Sequence, residues 1–283
     1  MNASRVQVLQ SHRTPLPAAW YRPCTDSVRA WALLRGYAYR WIGDELFDPL
    51  PAALIEKTRD QRAITADLGR LYALQAAFDS GFDVAVWVDA DVYVHAPHRL
   101  ELPCAGHAFG REVWVQTQDA ADQRHGSAGN QRVYSKIHNA FMLFRAADPL
   151  LGFYRHAAER ILERHSGGLV PQLIGPKLLA TLHNLLDFPV IETAGVLSPE
   201  VARDIVEGRG PALELMLRHS PQPPAAVNLC GSLVARGELD DALLAAVVAR
   251  LAREPDVLNR CEPGNCASVD VPGAIGEGLH PQM

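Results

Sequence analysis

Two aspartates separated by one residue, Asp89 and Asp91, directly follow a nearly continuous apolar run over residues 83–88. Such a run is typical of a strand buried on both faces of a mostly parallel sheet, and open α/β sheets bind ligands at the carboxyl ends of their strands. Carboxylates are hard ligands that suit Mg²⁺ or Mn²⁺, and an unpaired buried carboxylate is costly. The pair therefore predicts a divalent cation that bridges to a phosphate. The alternative is a turn in which Asp89 caps the next element and Asp91 is solvated.

Further candidates lie where other elements begin or end. Gln10 and Ser11 follow the first predicted strand and, by the same strand-end rule, are candidates to contact a nucleotide. The segment Gly175-Pro176-Lys177 can begin a helix with proline in its first turn, so free backbone N–H groups and the lysine would face a phosphate or a sugar. The alternative for Lys177 is a solvated helix residue.

Hydrophobic periodicity and capping residues predict alternating strands and helices, which define an α/β protein. Strands are predicted at residues 6–9, 37–42, 83–88, 92–94, 112–117 and 140–144. Helices are predicted at residues 25–36, 64–80, 149–164, 177–186, 199–207 and 240–252, the first of them capped by the run Thr25-Asp26-Ser27.

Composition excludes several classes of function. The chain of 283 residues carries 27 basic and 32 acidic residues and has no stripe of Lys and Arg, so we expect no nucleic-acid partner. No apolar stretch approaches the ~20 residues of a membrane-spanning helix, and the first residues lack the pattern of a secretory signal. We therefore expect a cytoplasmic protein without a transmembrane span. Five cysteines suggest reduced thiols, with a disulfide between Cys261 and Cys266 as the alternative.

The chain resembles sugar-nucleotide-dependent glycosyltransferases with the A-type fold in three segments that occur in the same order. These are Ala66-Asp67-Leu68-Gly69-Arg70 on a helix, Val86-Trp87-Val88-Asp89-Ala90-Asp91 after a strand, and Gly175-Pro176-Lys177. More narrowly, it resembles the Asp-x-Asp-containing sugar transferases of glycosyltransferase family 32, which include enzymes of bacterial polysaccharide biosynthesis. The similarity covers roughly residues 6–197.

The resemblance implies a Rossmann-like α/β fold with a mostly parallel central sheet flanked by helices and a small helical C-terminal part. We expect a catalytic core that binds the nucleotide sugar at residues 1–200, a helical part that completes the domain at residues 201–260, and a loose tail at residues 261–283. The implied activity is a metal-dependent transfer of a hexose from a UDP- or GDP-sugar to a glycan, lipid-linked or small-molecule acceptor. The resemblance favours retention of anomeric configuration.

The resemblance also assigns roles to residues that match its motifs. The helix residues Asp67 and Arg70 would lie beside the sugar nucleotide. Asp89 would contact the ribose or the metal, and Asp91 would coordinate the Mn²⁺ or Mg²⁺ that holds the diphosphate. The alternative for Asp67 and Arg70 is an ion pair on the helix surface, worth only ~0.2–0.5 kcal/mol.

Asn139 lies in the region where these transferases place residues near the donor sugar or the acceptor, so we expect it to contact a sugar hydroxyl. Its alternative role is to cap a loop. His219 is the candidate for the histidine that often completes the metal site in such folds, and His183 is its competitor. A lone surface histidine is the alternative for His219.

Two other functions compete with the glycosyltransferase. A strand followed by Asp-x-Asp also resembles haloacid-dehalogenase-type phosphatases, in which Asp89 would be the nucleophile. A nucleotide-sugar-binding protein without catalysis would retain Asp91. If the transfer instead inverted configuration, it would need a carboxylate base, for which the candidates are Glu112, Asp119, Asp122 and Glu192.

Overall fold

The computed structural model describes residues 4–117 and 131–259. The strands are β1 (Val6–Ser11), β2 (Ala38–Ile42), β3 (Val84–Val88), β4 (Val92–Val94), β5 (His107–Thr117), β6 (Gln131–Arg145), β7 (Val190–Ile191), β8 (Ala194–Val196) and β9 (Ala226–Asn228). The helices are α1 (Tyr21–Leu34), α2 (Ala52–Thr58), α3 (Arg62–Asp79), α4 (Leu150–Arg164), α5 (Pro176–Leu186), α6 (Pro199–Glu207), α7 (Pro211–His219) and α8 (Asp241–Arg253). The predicted tail with Cys261 and Cys266 lies outside the described residues, as do Asp119 and Asp122.

Within the described residues, six strands form the central sheet in the order β2-β1-β3-β6-β5-β7. β1 pairs in parallel with β2 and β3, β7 pairs in parallel with β5, and β6 is antiparallel to both of its neighbours. Within this sheet β6 therefore runs against the other strands. The predicted α/β fold, with a mostly parallel central sheet flanked by helices, is confirmed.

The central strand β3 is buried on both faces, as its apolar run predicts. Ala85 and Trp87 belong to the hydrophobic core that contains α3 and α4, whereas Val84, Val86 and Val88 belong to the core that contains α1. Because both sets of side chains leave water, the run lacks the polar alternation of a half-exposed strand. The aspartates that follow it emerge at the edge of the sheet.

A second sheet places the C-terminal part of the described chain beside the strand that follows the aspartates. Its strand order is β4-β9-β8, with β9 antiparallel to β4 and parallel to β8. Helices α6, α7 and α8 pack into a third core together with Val113 and Val115 of β5 and Val227 of β9. No helix in the described part of the chain is long and apolar enough to cross a membrane.

The first helix begins four residues before its predicted cap. α1 starts at Tyr21, and the hydroxyls of Thr25 and Ser27 donate hydrogen bonds to the carbonyls of Arg22 and Cys24, at 2.9 and 2.7 Å. These hydroxyls therefore bond back into the preceding turn instead of accepting from free N–H groups at a helix start. The prediction that Thr25-Asp26-Ser27 caps the helix is wrong, because serine and threonine hydroxyls can either cap the start of a helix or bond back to a carbonyl within it.

Helix α7 was not predicted, and its start shows why. The carboxylate of Asp204, in α6, accepts hydrogen bonds from the backbone N–H groups of Ala212 and Leu213 at 2.8 and 3.0 Å. The cap therefore comes from the neighbouring helix and not from a residue just before α7. Strands β5 and β6 are also longer than predicted and form an extended hairpin.

Candidate active site

Asp89 extends the central strand and begins a tight turn. Its backbone N–H donates to the carbonyl of Ala140 at 2.8 Å, which continues the pairing of β3 with β6 by one residue. Its carboxylate Oδ1 accepts a hydrogen bond of 2.6 Å from the indole N–H of Trp87. Its backbone carbonyl accepts from the N–H of Val92 at 3.1 Å. This turn leaves Asp91 at the same edge of the sheet as Asp89.

Asp91 is held by residues far along the chain. Its Oδ1 accepts from the side-chain amide of Asn228 at 2.7 Å, and its Oδ2 accepts from the backbone N–H of Gly231 at 2.8 Å. Burial and the neighbouring charge of Asp89 raise the pKa of Asp91 to about 6, although both donors oppose the shift. The alternative of a solvated turn residue is therefore wrong for Asp91, because both of its carboxylate oxygens accept hydrogen bonds and burial is the main cause of its raised pKa.

Arg70 connects helix α3 to the aspartate pair. Its Nη2 lies 3.3 Å from Oδ1 of Asp67, and its Nη1 lies 3.4 Å from Oδ1 of Asp89. Nη1 also donates to the backbone carbonyl of Asn139 at 3.1 Å. Only 11% of the Arg70 side chain is exposed, so the alternative of a surface ion pair within the helix is wrong. The guanidinium instead joins α3, β3 and β6.

Asp67 and Asn139 form the buried part of this cluster. The side-chain amide of Asn139 donates to Oδ1 of Asp67 at 2.9 Å. Burial raises the pKa of the Asp67 carboxyl, and the charge of Arg70 opposes that shift. A Cβ at Gly175 would overlap the Asp67 carboxylate and the Asn139 amide, so α5 begins in direct contact with the cluster. A contact between Asn139 and a sugar hydroxyl stays a prediction.

Lys177 and Gln10 have surroundings that differ from those expected. The Lys177 N–H donates to the carbonyl of Gln172 at 3.1 Å, and its side chain is exposed and lines neither of the clefts described below. The start of α5 therefore does not offer this N–H group to a phosphate. Gln10 is fully buried, and its side-chain amide donates to the backbone carbonyl of Asp89 at 3.1 Å. It supports the turn after β3, whereas Ser11 faces a cleft.

The two candidate histidines are not near the aspartate pair. His219 is exposed at the end of α7 and lines neither cleft. His183 accepts a hydrogen bond of 3.0 Å from the N–H of Phe188 and lines neither cleft. Within residues 4–117 and 131–259, no three His, Cys, Asp or Glu side chains are grouped so that they could hold a metal.

Two clefts meet at the aspartate pair. The first, which we call the loop cleft, has a volume of about 1020 Å³ and is lined by residues 11–17 after β1, by the start of α3 and by the turn after β3. The second, which we call the hairpin cleft, has a volume of about 720 Å³ and is lined by β5, β6 and the segment after β9. The wall common to both clefts consists of Ala63, Ala66, Arg70, Asp89, Asp91 and Ser232.

Sequence reasoning missed the end of β9 and the segment that follows it. Asn228 and Gly231 hold Asp91, and the side chain of Ser232 lies beside both clefts. The signal that could have found them is the strand-end rule, since these polar residues follow the short apolar run 225–227. That run is too short to be recognised as a strand by periodicity alone.

His138 is a second buried group beside the cluster. Its Nδ1 accepts from the backbone N–H of Ala140 at 3.1 Å, so its Nε2 carries the proton and donates to the carbonyl of Ala194 at 3.1 Å. Burial lowers the pKa of His138 to about 4, so the ring is neutral near pH 7. A neutral ring adds no positive charge to the hairpin cleft, which it lines.

The carboxylates expected as alternatives for a catalytic base differ in their surroundings. Glu192 accepts two hydrogen bonds from Arg111, at 2.6 and 2.8 Å, and lines neither cleft. Glu112 lines the hairpin cleft, and burial raises its pKa. Of these two, Glu112 is therefore the one placed to meet a ligand.

Comparison with known proteins gives distant similarity at the level of structure. No family model matches the chain, and no curated protein matches it significantly. A glycosyltransferase involved in the glycosylation of the major capsid of PBCV-1 is 12% identical, with 87% of this chain and 99% of that chain covered and a TM-score of 0.45. The galactosyltransferase LgtC, solved with donor and acceptor sugar analogs, is 15% identical, with 84% of this chain and 95% of that chain covered and a TM-score of 0.38.

These two structures are glycosyltransferases, the class of protein that the sequence resembles. At TM-scores below 0.5 the similarity is distant, so the function of this chain depends on what its own side chains can do.

Proposed function

We propose that this chain is a metal-dependent glycosyltransferase that moves a hexose from a nucleoside-diphosphate sugar to an acceptor hydroxyl. The observation that carries the proposal is the meeting of two clefts at Asp89 and Asp91. A transfer between two substrates needs two binding spaces that share one reacting point. The loop cleft, at about 1020 Å³, has room for a nucleoside diphosphate with its sugar, and the hairpin cleft, at about 720 Å³, would receive the acceptor.

The aspartate pair has the chemistry of a divalent-cation site. Each carboxylate oxygen of Asp91 accepts one hydrogen bond from a described residue and keeps a further lone pair. Asp89 adds a second carboxylate, and Ser232 adds a hydroxyl nearby. Mg²⁺ is usually bound through one or two carboxylates, with substrate phosphates and water as its other ligands. The residues present therefore suit Mn²⁺ or Mg²⁺ bound together with a diphosphate.

The expected reaction has a simple balance of bonds. The bond between the sugar C1 and the diphosphate oxygen breaks with its electron pair on the diphosphate, and a new bond forms between C1 and the acceptor oxygen. In a retaining transfer with both bonds on one face of the sugar, the hydroxyl proton passes to the departing diphosphate. A bound divalent cation would neutralise the charge that develops on that diphosphate.

Five residues of the chain prepare this transfer. Arg70 brings a positive charge to the wall common to the two clefts, and Asp67 and Asn139 hold it there. Gln10 and Trp87 fix the turn and the carboxylate of Asp89. Because these groups are already oriented, the site does not have to reorganise as charge develops.

The phosphatase alternative is less well supported by the same geometry. As a nucleophile, Asp89 would need a free carboxylate oxygen directed at phosphorus. Its Oδ1 accepts from Trp87 and is ion-paired with Arg70, which leaves only Oδ2 for such an attack. The further acidic pair of such phosphatases has no counterpart beside Asp89 and Asp91 within the described residues.

The first experiment is a thermal-unfolding screen of the full chain with UDP, GDP and their sugar conjugates, each with and without Mn²⁺. A ligand at about a hundred times its Kd stabilises the native state by about 2.7 kcal/mol, so the correct nucleotide with Mn²⁺ should raise the unfolding temperature by several degrees. Asp91→Asn should abolish the part of the shift that depends on Mn²⁺.

Asp83→Asn is the matched control, because Asp83 is an exposed aspartate at the opposite end of β3. This variant should respond to nucleotide and Mn²⁺ as the wild type does. If no nucleotide shifts the wild type, the proposed donor is wrong, and phosphatase activity with Mg²⁺ would then favour the alternative. Donor binding without transfer to any acceptor would favour a binding protein that lacks catalysis.

A further inference from the structure

The hairpin formed by β5 and β6 directs one set of alternate side chains into the hairpin cleft. Three pairs face each other across the two strands, with Gly110 opposite His138, Glu112 opposite Lys136, and Trp114 opposite Tyr134. All of these residues except Gly110 line the cleft. Successive pairs on one face are ~7 Å apart along a strand. The three pairs therefore form a continuous surface that leads away from the aspartates, with a charged pair in the middle and an aromatic pair at the far end.

The far end of this surface is aromatic. Trp114 and Tyr134 are directly opposite each other, and both side chains are only partly buried. The indole N–H of Trp114 donates to the side-chain oxygen of Gln116 at 3.2 Å, which orients the ring. The hydroxyl of Tyr134 has no hydrogen bond to any residue that the structure describes. Partly exposed rings in a cleft offer flat apolar faces and a polar edge to a ligand, although Nζ of Lys136 already lies 5.7 Å from the centroid of the Tyr134 ring.

Glu112 lies between the aromatic pair and His138. Its carboxylate has no hydrogen bond or ion pair with a described residue, although the charge of Lys136 attracts it. A half-buried carboxylate without a hydrogen-bond donor is unusual, because desolvation of the charge is then poorly compensated. A ligand hydroxyl at this place would supply the missing donor.

We propose that the hairpin cleft binds a saccharide, whose ring lies on Trp114 and Tyr134 and one of whose ring hydroxyls donates a hydrogen bond to Glu112. The inference rests on the proposed function, because it makes this saccharide the acceptor of the transfer. A sugar ring has an apolar C–H face and a rim of hydroxyls, which matches aromatic faces set beside a carboxylate. A lipid chain would meet Glu112 and Lys136 within its path, and an anionic polymer would meet the negative charge of Glu112.

The position of the surface agrees with this role. Asp91 and Arg70 line both this cleft and the loop cleft, so a sugar on the aromatic pair occupies a cleft that shares a wall with the loop cleft. Because the aromatic pair is two pairs farther along the strands than His138, the hydroxyl presented to the donor sugar would belong to a further unit of the same saccharide, while Glu112 holds the ring on the aromatic pair. The specificity for a saccharide would come from the hairpin, and the donor specificity from the loop cleft.

The test is saturation-transfer NMR of the full chain with a panel of methyl glycosides of glucose, galactose, mannose and N-acetylglucosamine. A straight-chain alcohol and a serine-containing peptide serve as the other acceptor classes. Each probe is measured alone and with UDP or GDP plus Mn²⁺. We expect at least one glycoside to receive saturation at its ring C–H protons. Trp114→Ala and Glu112→Ala should each weaken its binding by about tenfold.

Two further variants distinguish a loss of glycoside binding from a loss of folding. Trp114→Phe retains an aromatic face and should retain most of the binding. Trp41→Ala removes another partly buried tryptophan, which lies on β2 and lines neither cleft, and should bind the glycoside as the wild type does. Equal binding by Trp114→Ala and the wild type, or no binding of any glycoside by the wild type, would overturn the proposal. Preference for the alcohol or the peptide would overturn it too.

The nucleotide screen separates this inference from the proposed function. Nucleotide binding without glycoside binding would leave the donor site in place and exclude the saccharide site. Glycoside binding that depends on Trp114, without any nucleotide binding, would leave the saccharide site in place and exclude the transfer.

Discussion

At the scale of single residues, burial disfavours the charged form of the aspartates, and hydrogen-bond donors and a positive charge from other parts of the chain favour it. Asp91 keeps a raised pKa of about 6 even though Asn228 and Gly231 donate to it. Asp89, by contrast, is ion-paired with Arg70. Residual negative charge at such a site favours a cation, which is why we propose that the pair binds a metal.

The buried ring of His138 gives a testable dependence of stability on pH. Its pKa of about 4 in the folded chain is below the ordinary value of 6.5, so the unfolded chain binds the proton more readily. The neutral ring therefore stabilises the fold fully above about pH 6.5, and this contribution is lost as the pH falls towards about 4. We expect the unfolding free energy of the wild type to fall by roughly 3 kcal/mol more than that of His138→Gln across this range.

The measurement is urea unfolding of both proteins at a series of pH values. The slope against pH is the readout, so a lower stability of His138→Gln at neutral pH does not affect the comparison. Parallel curves for the two proteins would contradict a buried neutral imidazole. His95, whose pKa burial also lowers to about 4, is present in both proteins and cancels in the difference.

At the scale of elements, the positions of the strands depend on close backbone approaches that a side chain would prevent. The pairing of β5 with β6 changes register between Phe109 and Gly110, directly opposite the ring of His138. A Cβ at Gly110 would overlap this ring and would lie 2.9 Å from the carbonyl oxygen of Ala194. The absence of a side chain at Gly110 therefore lets β5 approach β8 with His138 packed beside it.

We expect Gly110→Ala to lower the unfolding free energy by about 1 to 3 kcal/mol, because the added methyl group overpacks a closed space. Gly152→Ala is the matched control: Gly152 lies in α4, and a Cβ there meets no atom within 4 Å. That substitution should raise stability by about 0.5 to 1 kcal/mol, since alanine suits a helix better than glycine. Urea unfolding measures both, and equal stability of Gly110→Ala and the wild type would contradict the close approach.

At the scale of the whole molecule, the segment 201–259 contributes to the site as well as to the core. β9 inserts between β4 and β8, and its last residue, Asn228, and Gly231 just after it donate the two hydrogen bonds to the Asp91 carboxylate. Helices α6, α7 and α8 enclose a core that also contains Val113 and Val115 of the hairpin. We therefore propose that residues 201–260 complete the domain formed with residues 1–200.

A chain that ends at residue 200 should fail to unfold cooperatively and should not bind nucleotide with Mn²⁺. It would expose the apolar side chains of the third core and would lose Asn228 and Gly231. A chain that ends at residue 259 keeps every contact described here and is the control. Thermal unfolding with and without nucleotide and Mn²⁺ distinguishes the two, and nucleotide binding by the shorter chain would show that residues 1–200 suffice.

Much of the fold follows from local patterns in the sequence. The apolar run of β3, the periodicity of α3 and the alternation of strands and helices predict an α/β protein. A strand buried on both faces is apolar throughout, whereas a helix buried on one face shows apolar residues at helical spacing. Errors arise where one residue type has two uses. Thr25 and Ser27 bond back within α1 instead of capping it, and α7 is capped from α6 by Asp204.

The sequence by itself determined the carboxylates at the end of a buried strand and the neighbouring pair Asp67 and Arg70, because strand burial and helix spacing are local properties. Only the tertiary structure decided what holds Asp91, since Asn228 and Gly231 lie 137 and 140 residues away along the chain. It also separated His219 from the site and brought Glu112 and the aromatic pair into one cleft. Strands that pair across long separations in the sequence create these contacts, and local hydrophobic periodicity does not indicate which strands pair.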